Sequence, residues 1–124
     1  MDNTAIKFKF YIGGYFGSQN EVEYNENYLI CSVPDYPGES VAPFQAIHVA
    51  DDPDWVALLE FTRNLKWRSS YRSDVLDGTQ WEFEFAFMDT TLKSHGSNKY
   101  PKEFDQFLAL LNKLLSKHNI PKVY

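Results

Sequence analysis

The segment TQWEFEFAFMD sets Trp81, Phe83, Phe85 and Phe87 at alternate positions, with Gln80, Glu82, Glu84 and Ala86 between them. A period of two marks a strand whose side chains leave the backbone on opposite sides, so the aromatics form one face and mostly polar groups the other. Such a face needs an apolar cover. The chain must therefore supply helices with a matching stripe, and its other elements have to be found around that requirement.

Two stretches meet the need. Asp51 and Asp52 precede Pro53, a residue favoured at the first helical position, and acids there complement the positive helix end. From Pro53 to about Lys66, Trp55, Leu58, Leu59, Thr62 and Leu65 recur at spacings of three and four, with Glu60, Arg63 and Asn64 left to water. The second helix is expected to open at Pro101. Phe104, Phe107, Leu108, Leu111, Leu114 and Leu115 lay down one stripe, Lys113, Lys117 and His118 suit its last turns, and Asn119 with Pro121 stops it.

Further strands are expected ahead of the first helix. Ile6, Phe8, Phe10 and Ile12 alternate with Lys7, Lys9 and Tyr11, and Gly13, Gly14 and Gly17 end that run in a turn. Residues 21–33 read as a second strand in which Val22, Tyr24, Tyr28 and Ile30 share a parity, broken into a hairpin around Asn25 to Asn27. Pro34, Pro37, Gly38 and Pro43 make a loop, and Phe44 to Val49 form one more short strand. Beyond the first helix, WRSSYRSDVLDGTQ reads as a polar connection closing in the Asp77-Gly78 turn. Thr90 to Ser94 return as the hairpin partner of the aromatic strand. HGSNKY then reads as a turn in which Gly96 adopts a turn conformation, Ser97 or Asn98 caps the last helix, and Tyr100 packs near Phe104. The expected fold is α+β: a two-layer sandwich, with an antiparallel sheet of about five strands and two helices on one face, in a single domain over residues 1–124.

Composition constrains function more loosely. At 124 residues, 44% apolar and 17% aromatic, the chain can fold as one globule despite a net charge of −5. No leader pattern and no apolar run long enough to span a bilayer is present, so a cytoplasmic protein is expected. The lone Cys31, set among Leu29, Ile30 and Val33, reads as a buried hydrophobe. The charge is unevenly placed. Between Lys9 and Arg63 no lysine or arginine occurs, while Glu21, Glu23, Glu26, Asp35, Glu39, Asp51, Asp52, Asp54 and Glu60 do. An acid-only stretch favours encounter with a basic partner and repels nucleic acid and anionic membranes.

Searches for chemistry return little. His48, His95 and His118 have no metal-ligand spacing, and no metal or cofactor is expected. GGYFG matches no phosphate-binding loop, and the pairs Glu82/Glu84 and Glu21/Glu23 read as acids on wet strand faces. Arg63, Lys66, Arg68 and Arg72, interleaved with Trp67 and Tyr71, form a short basic cluster that the surrounding acidity opposes as a nucleic-acid site.

The string DGTQWEFEFAF followed by SHGSNKYPKEFDQFLALL resembles a recurrent pattern in small, uncharacterised bacterial single-domain proteins: an Asp-Gly turn, a tryptophan-bearing strand and a GxNxYP entry to the last helix. It spans Asp77 to Leu115, and its general appearance is similar to that of immunity proteins, which neutralise toxins delivered by competing bacteria. The resemblance implies a shared fold more than a shared activity; the acid-only stretch is what points to a non-catalytic, protein-binding role of the immunity type. On this reading the contact to a basic toxin domain uses Glu21, Glu23, Glu26, Tyr28, Asp35, Tyr36 and Glu39. The alternative is a ligand-binding or enzymatic domain with a site formed by Trp67, Arg68, Tyr71, Arg72, His95, Asn98 and Tyr100, His95 acting as acid or base and Arg68 or Arg72 clamping an anion. A structural subunit of a larger assembly is a third reading, which would require an exposed apolar patch.

Overall fold

In the computed structural model, which describes residues 6–14, 19–35, 42–73 and 78–124, seven strands form one mixed sheet. They are β1 (Lys7–Gly14), β2 (Gln19–Asn25), β3 (Tyr28–Ser32), β4 (Gln45–His48), β5 (Ser70–Arg72), β6 (Thr79–Phe87) and β7 (Thr90–Ser97), with helices α1 (Pro53–Arg63) and α2 (Phe104–Ser116). The strand order is β4-β3-β2-β1-β6-β7-β5, antiparallel throughout except for the parallel pair β5–β7. The α+β class is as expected. The sheet departs from the expected five antiparallel strands because Glu26 and Asn27 divide one run into two strands and because β5 adds a parallel edge.

The alternation in β6 does what its chemistry requires. Trp81, Phe83 and Phe85 are buried on the same face as Phe8, Phe10 and Ile12 of β1, with which they lie directly in register. Phe107 of α2 enters this layer, its ring centroid 4.9 Å from Phe83 and 5.1 Å from Phe10, and Trp55 of α1 meets Phe8 edge-on at 5.3 Å. Edge-to-face contacts place positive ring edges on negative faces, which adds specificity to the burial itself. Both helices thus cover one face, and among the described residues no element covers the other, the open face.

Helix α1 begins as its sequence dictates: Asp52 is the N-cap, its Oδ1 accepting from the Asp54 amide at 2.9 Å, with Pro53 next. It stops at Arg63 rather than near Lys66, and Asn64 caps it through backbone bonds to Phe61 and Thr62. Helix α2 starts later than Pro101. Residues 101–103 form a turn closed by the Phe104 amide on the Pro101 carbonyl at 3.2 Å, with Glu103 in the left-handed region at φ 72° and no side-chain cap. Its end follows the sequence: Asn119 at φ 61° lets the Ile120 amide reach the Leu115 carbonyl at 3.1 Å, the arrangement that satisfies carbonyls at a helix end.

Three local details differ from expectation. First, the hairpin expected around Asn25 to Asn27 is present, as a two-residue turn with both central residues at positive φ, Glu26 at 45° and Asn27 at 75°, but the shared parity across it is not kept. Two residues in the turn pair Tyr24 with Leu29 and Asn25 with Tyr28, so Leu29 and Cys31 take the core face while Tyr28 and Ile30 take the open one. Second, WRSSYRS is not wholly irregular, because Ser70–Arg72 pair with β7. Third, HGSNKY is not a turn from its start. His95, Gly96 and Ser97 belong to β7, and Gly96 sits in a buried strand position where a Cβ would lie 2.2 Å from Trp81 Nε1. Asn98 does not cap α2; its Oδ1 accepts from the Thr79 amide at 2.8 Å and fixes the start of β6. Tyr100 does pack on Phe104, at 5.0 Å.

Candidate functional site

The open face carries the odd-numbered residues of β1, β2 and β7 and the even-numbered ones of β3, β4, β5 and β6, arranged in rows across the sheet. One row, read from the β4 side, runs Ala46, Ile30, Glu23, Lys9, Glu84 and Lys93. The next runs Ser32, Glu21, Tyr11, Glu82, His95 and Ser70. Lysines from β1 and β7 therefore stand between the glutamates. Lys7 Nζ lies 2.6 Å from Glu84 Oε1, and that hydrogen bond, against a lesser effect of burial, holds the Glu84 carboxyl below its ordinary value. Such cross-strand pairing is a stabilising pattern in its own right. The middle of the face is balanced in charge rather than acidic.

The uncompensated part is the β2–β4 side. Glu21, Glu23 and Glu26 form no salt bridge among the described residues. Beside them lies exposed aromatic and apolar surface. Tyr28 is 43% exposed with its ring edge-on to His48 at 5.1 Å, Ile30 is half-buried, Ala46 and His48 are exposed, and Phe44, just ahead of β4, is 63% exposed. Tyr11 borders this area. Its hydroxyl donates to Gln19 Oε1, and burial, reinforced by Glu21 and Glu82 on either side, pushes its pKa up, so it stays a neutral phenol. Exposed Asp35 follows the end of β3. Tyr36 and Glu39 lie outside the described residues. Asp52 and Asp54 do not join the face; they turn to α2, where Lys117 Nζ lies 2.7 Å from Asp52 and 2.8 Å from Asp54.

The structure thus brings Glu21, Glu23, Glu26 and Tyr28 to one end of one face. It adds Ile30, Phe44, Ala46 and His48, which sequence reading did not place there. A strict two-residue count across Glu26-Asn27 is the signal that finds Ile30.

The second set of residues does not converge. Trp67 and Tyr71 are core residues: Trp67 Nε1 donates to the Lys102 carbonyl at 3.0 Å, and the Tyr71 hydroxyl accepts from the Arg68 amide at 2.9 Å. The Arg68 guanidinium lies over the Tyr71 ring at 4.9 Å, a cation–π contact. His95 and Arg72 project to the open face, Asn98 serves β6, and Tyr100 packs on Phe104 on the helix side of the sheet. A groove of about 770 Å³ runs between the first turns of α2 and the C-terminal tail and includes only Tyr100 of that set. Burial, then the neighbouring Tyr124, raises the Tyr100 pKa. Among the described residues no group of three or more His, Cys, Asp or Glu is placed to hold a metal, and no helix is long and apolar enough to cross a membrane.

Against known proteins, the chain matches no family model and no curated sequence. Geometry therefore carries the functional reading.

Proposed function

We propose that this chain is a non-catalytic protein-binding module of the bacterial immunity type, which occludes a basic toxin domain in the cytoplasm. The observation that carries this reading is the coincidence, at the β2–β4 side of the open sheet face, of Glu21, Glu23 and Glu26, which form no salt bridge among the described residues, with exposed Tyr28 and Phe44. Aromatic side chains beside partly apolar surface are the usual anchors of an interface, and the surrounding acids steer a cationic partner and set its orientation. The ligand-site reading around His95 with Arg68 or Arg72 has less support, since Trp67 and Tyr71 are consumed by the core.

The test is affinity capture with the tagged protein from cells encoding a basic secreted toxin, at low and raised salt, with bound chains identified by mass spectrometry. One basic protein should be retained, be released as salt screens the attraction, and be lost from the Glu21→Lys/Glu23→Lys/Glu26→Lys protein. Tyr28→Ala or Phe44→Ala should each cost about 2 kcal/mol of affinity if they anchor the contact. Capture that ignores the triple substitution, or no basic partner at any salt, would sink the reading.

A further inference from the structure

We infer that β4 accepts an added strand: an extended, lysine- or arginine-bearing segment of the partner, paired through the backbone of Ala46 and His48. This inference rests on the protein-binding reading above and specifies how the partner is held.

The two edges of the sheet differ in a way that matters. Exposed edges are ordinarily blunted by shortness, by cations or by proline. The β5 edge has such features: it is three residues long and ends in Arg72, with Arg68 two residues ahead of it. The β4 edge, at four residues, is also short, but it carries neither cation nor proline. QAIH contains no lysine, arginine or proline, Gln45, Ala46 and His48 are exposed, and among the described elements only β3 pairs with it.

Register identifies the free groups. The Val49 amide donates to the Asn27 carbonyl at 2.9 Å, and β3 and β4 pair in antiparallel register with Tyr28 opposite His48 and Ile30 opposite Ala46. In an antiparallel ladder, residues alternate between turning both backbone groups toward the neighbour and turning both away. Ile47 and Gln45 share the phase of Val49 and face β3, which leaves the N–H and C=O of Ala46 and His48 directed outward. They are spaced as one more strand requires, with Phe44 and Tyr28 beside them to take side chains of the incoming segment.

Charge decides the occupant. No cation lies on β2, β3 or β4, and Glu26 and Asp51 stand near the end where His48 leads into the helix approach. The nearby ammonium of Lys117 is already engaged by Asp52 and Asp54. A second copy, joined edge to edge through a two-fold axis, would bring two acidic sides of a chain with net charge −5 together, whereas a basic segment relieves that field.

The experiment uses the full chain and a capped peptide in which valine alternates with lysine, with a glycine–lysine peptide of equal charge as control. Amide exchange is read residue by residue by NMR at about 1 mM peptide. The valine–lysine peptide should slow exchange at Ala46 and His48 by about tenfold or more, and the control should not. Ala46→Pro removes one outward N–H without touching the β3 ladder and should lose peptide binding, while Ala46→Val keeps it. If Ala46→Pro binds like the native chain while Glu21→Lys/Glu23→Lys/Glu26→Lys does not, strand addition is overturned and the acidic-patch reading stands. No protection at Ala46 and His48, or protection accompanied by a doubled mass without peptide, overturns the inference as well. Should Ala46→Pro fail to fold, protection in the native chain decides alone.

Discussion

The indole of Trp81 occupies the space that Gly96 leaves by having no side chain. The two residues face each other across β6 and β7, and Trp81 Nε1 passes over Gly96 to donate to the Lys99 carbonyl at 3.0 Å. A Cβ on Gly96 would also lie 2.7 Å from that carbonyl oxygen, so both indole and backbone would have to move. Gly96→Ala should therefore destabilise the fold by about 2–4 kcal/mol, as overpacking and a lost buried hydrogen bond combine. Urea unfolding followed by tryptophan fluorescence checks this; a change below about 0.5 kcal/mol would mean that the strand gives way easily.

Acid should loosen the junction of the two helices. Burial alone would raise the Asp52 carboxyl, but the Lys117 hydrogen bond, the Asp54 amide and His118 together outweigh it and hold its pKa below 3.8. The Lys117 hydrogen bond likewise holds Asp54 below 3.8. Groups with lowered folded values stabilise fully above the unfolded value and lose that contribution as pH falls through the folded one. Lys117, raised above 10.5 first by Asp52, contributes fully below 10.5 and loses its share as pH climbs past its folded value. Urea midpoints of the native chain and of Lys117→Met should differ most between these limits and converge at both extremes. A constant difference across pH would refute the linkage.

Cys31 should be silent toward thiol reagents while the chain is folded. It is fully buried on the core face of β3, and burial pushes its thiol up to about 12, so almost no thiolate exists at neutral pH. Ellman's reagent should react with unfolded chain only, at a rate that tracks global opening. Rapid reaction under native conditions would contradict this burial.

Glu103 holds a backbone conformation that suits glycine. At φ 72° it precedes α2 without giving the helix a side-chain hydrogen bond. A left-handed non-glycine residue costs about 1–2 kcal/mol, part of which glycine returns as unfolded-chain entropy. Glu103→Gly should raise stability by about 0.5–1 kcal/mol, measured from the denaturant midpoint at constant slope. A loss of stability would show that the glutamate makes a favourable contact to the helix end.

Legibility in the sequence follows the range of the interactions. The β6 aromatics, the α2 stripe and the Asp52-Pro53 helix entry could be read because periodicity and capping act over a few residues. The shared parity of Val22, Tyr24, Tyr28 and Ile30 does not survive the hairpin, because a two-residue turn shifts strand parity and leaves only a faint mark in Glu26-Asn27. Ser70–Arg72 are three residues made into a strand solely by β7, whose own end is disguised by Gly96. At the candidate site, Glu21, Glu23, Glu26 and Tyr28 were found from charge and residue type. That Lys7, Lys9 and Lys93 neutralise the centre of the face depends on strand order, which no local pattern encodes.

The seam between β1 and β6 has a temporal consequence. The strands before it and those after it are each connected mainly by short hairpins, yet this central junction aligns Lys7 with Ala86 and Gly14 with Thr79. Joining segments so distant along the chain means closing a large loop before any contact rewards it, and topologies with many such pairings fold slowly for their size. Until the seam closes, the aromatic faces of both halves are exposed to solvent. The interval in which this chain is most prone to aggregate is thus set by the encounter of two hairpins, and crowding by neighbouring nascent chains would act on that step before any other.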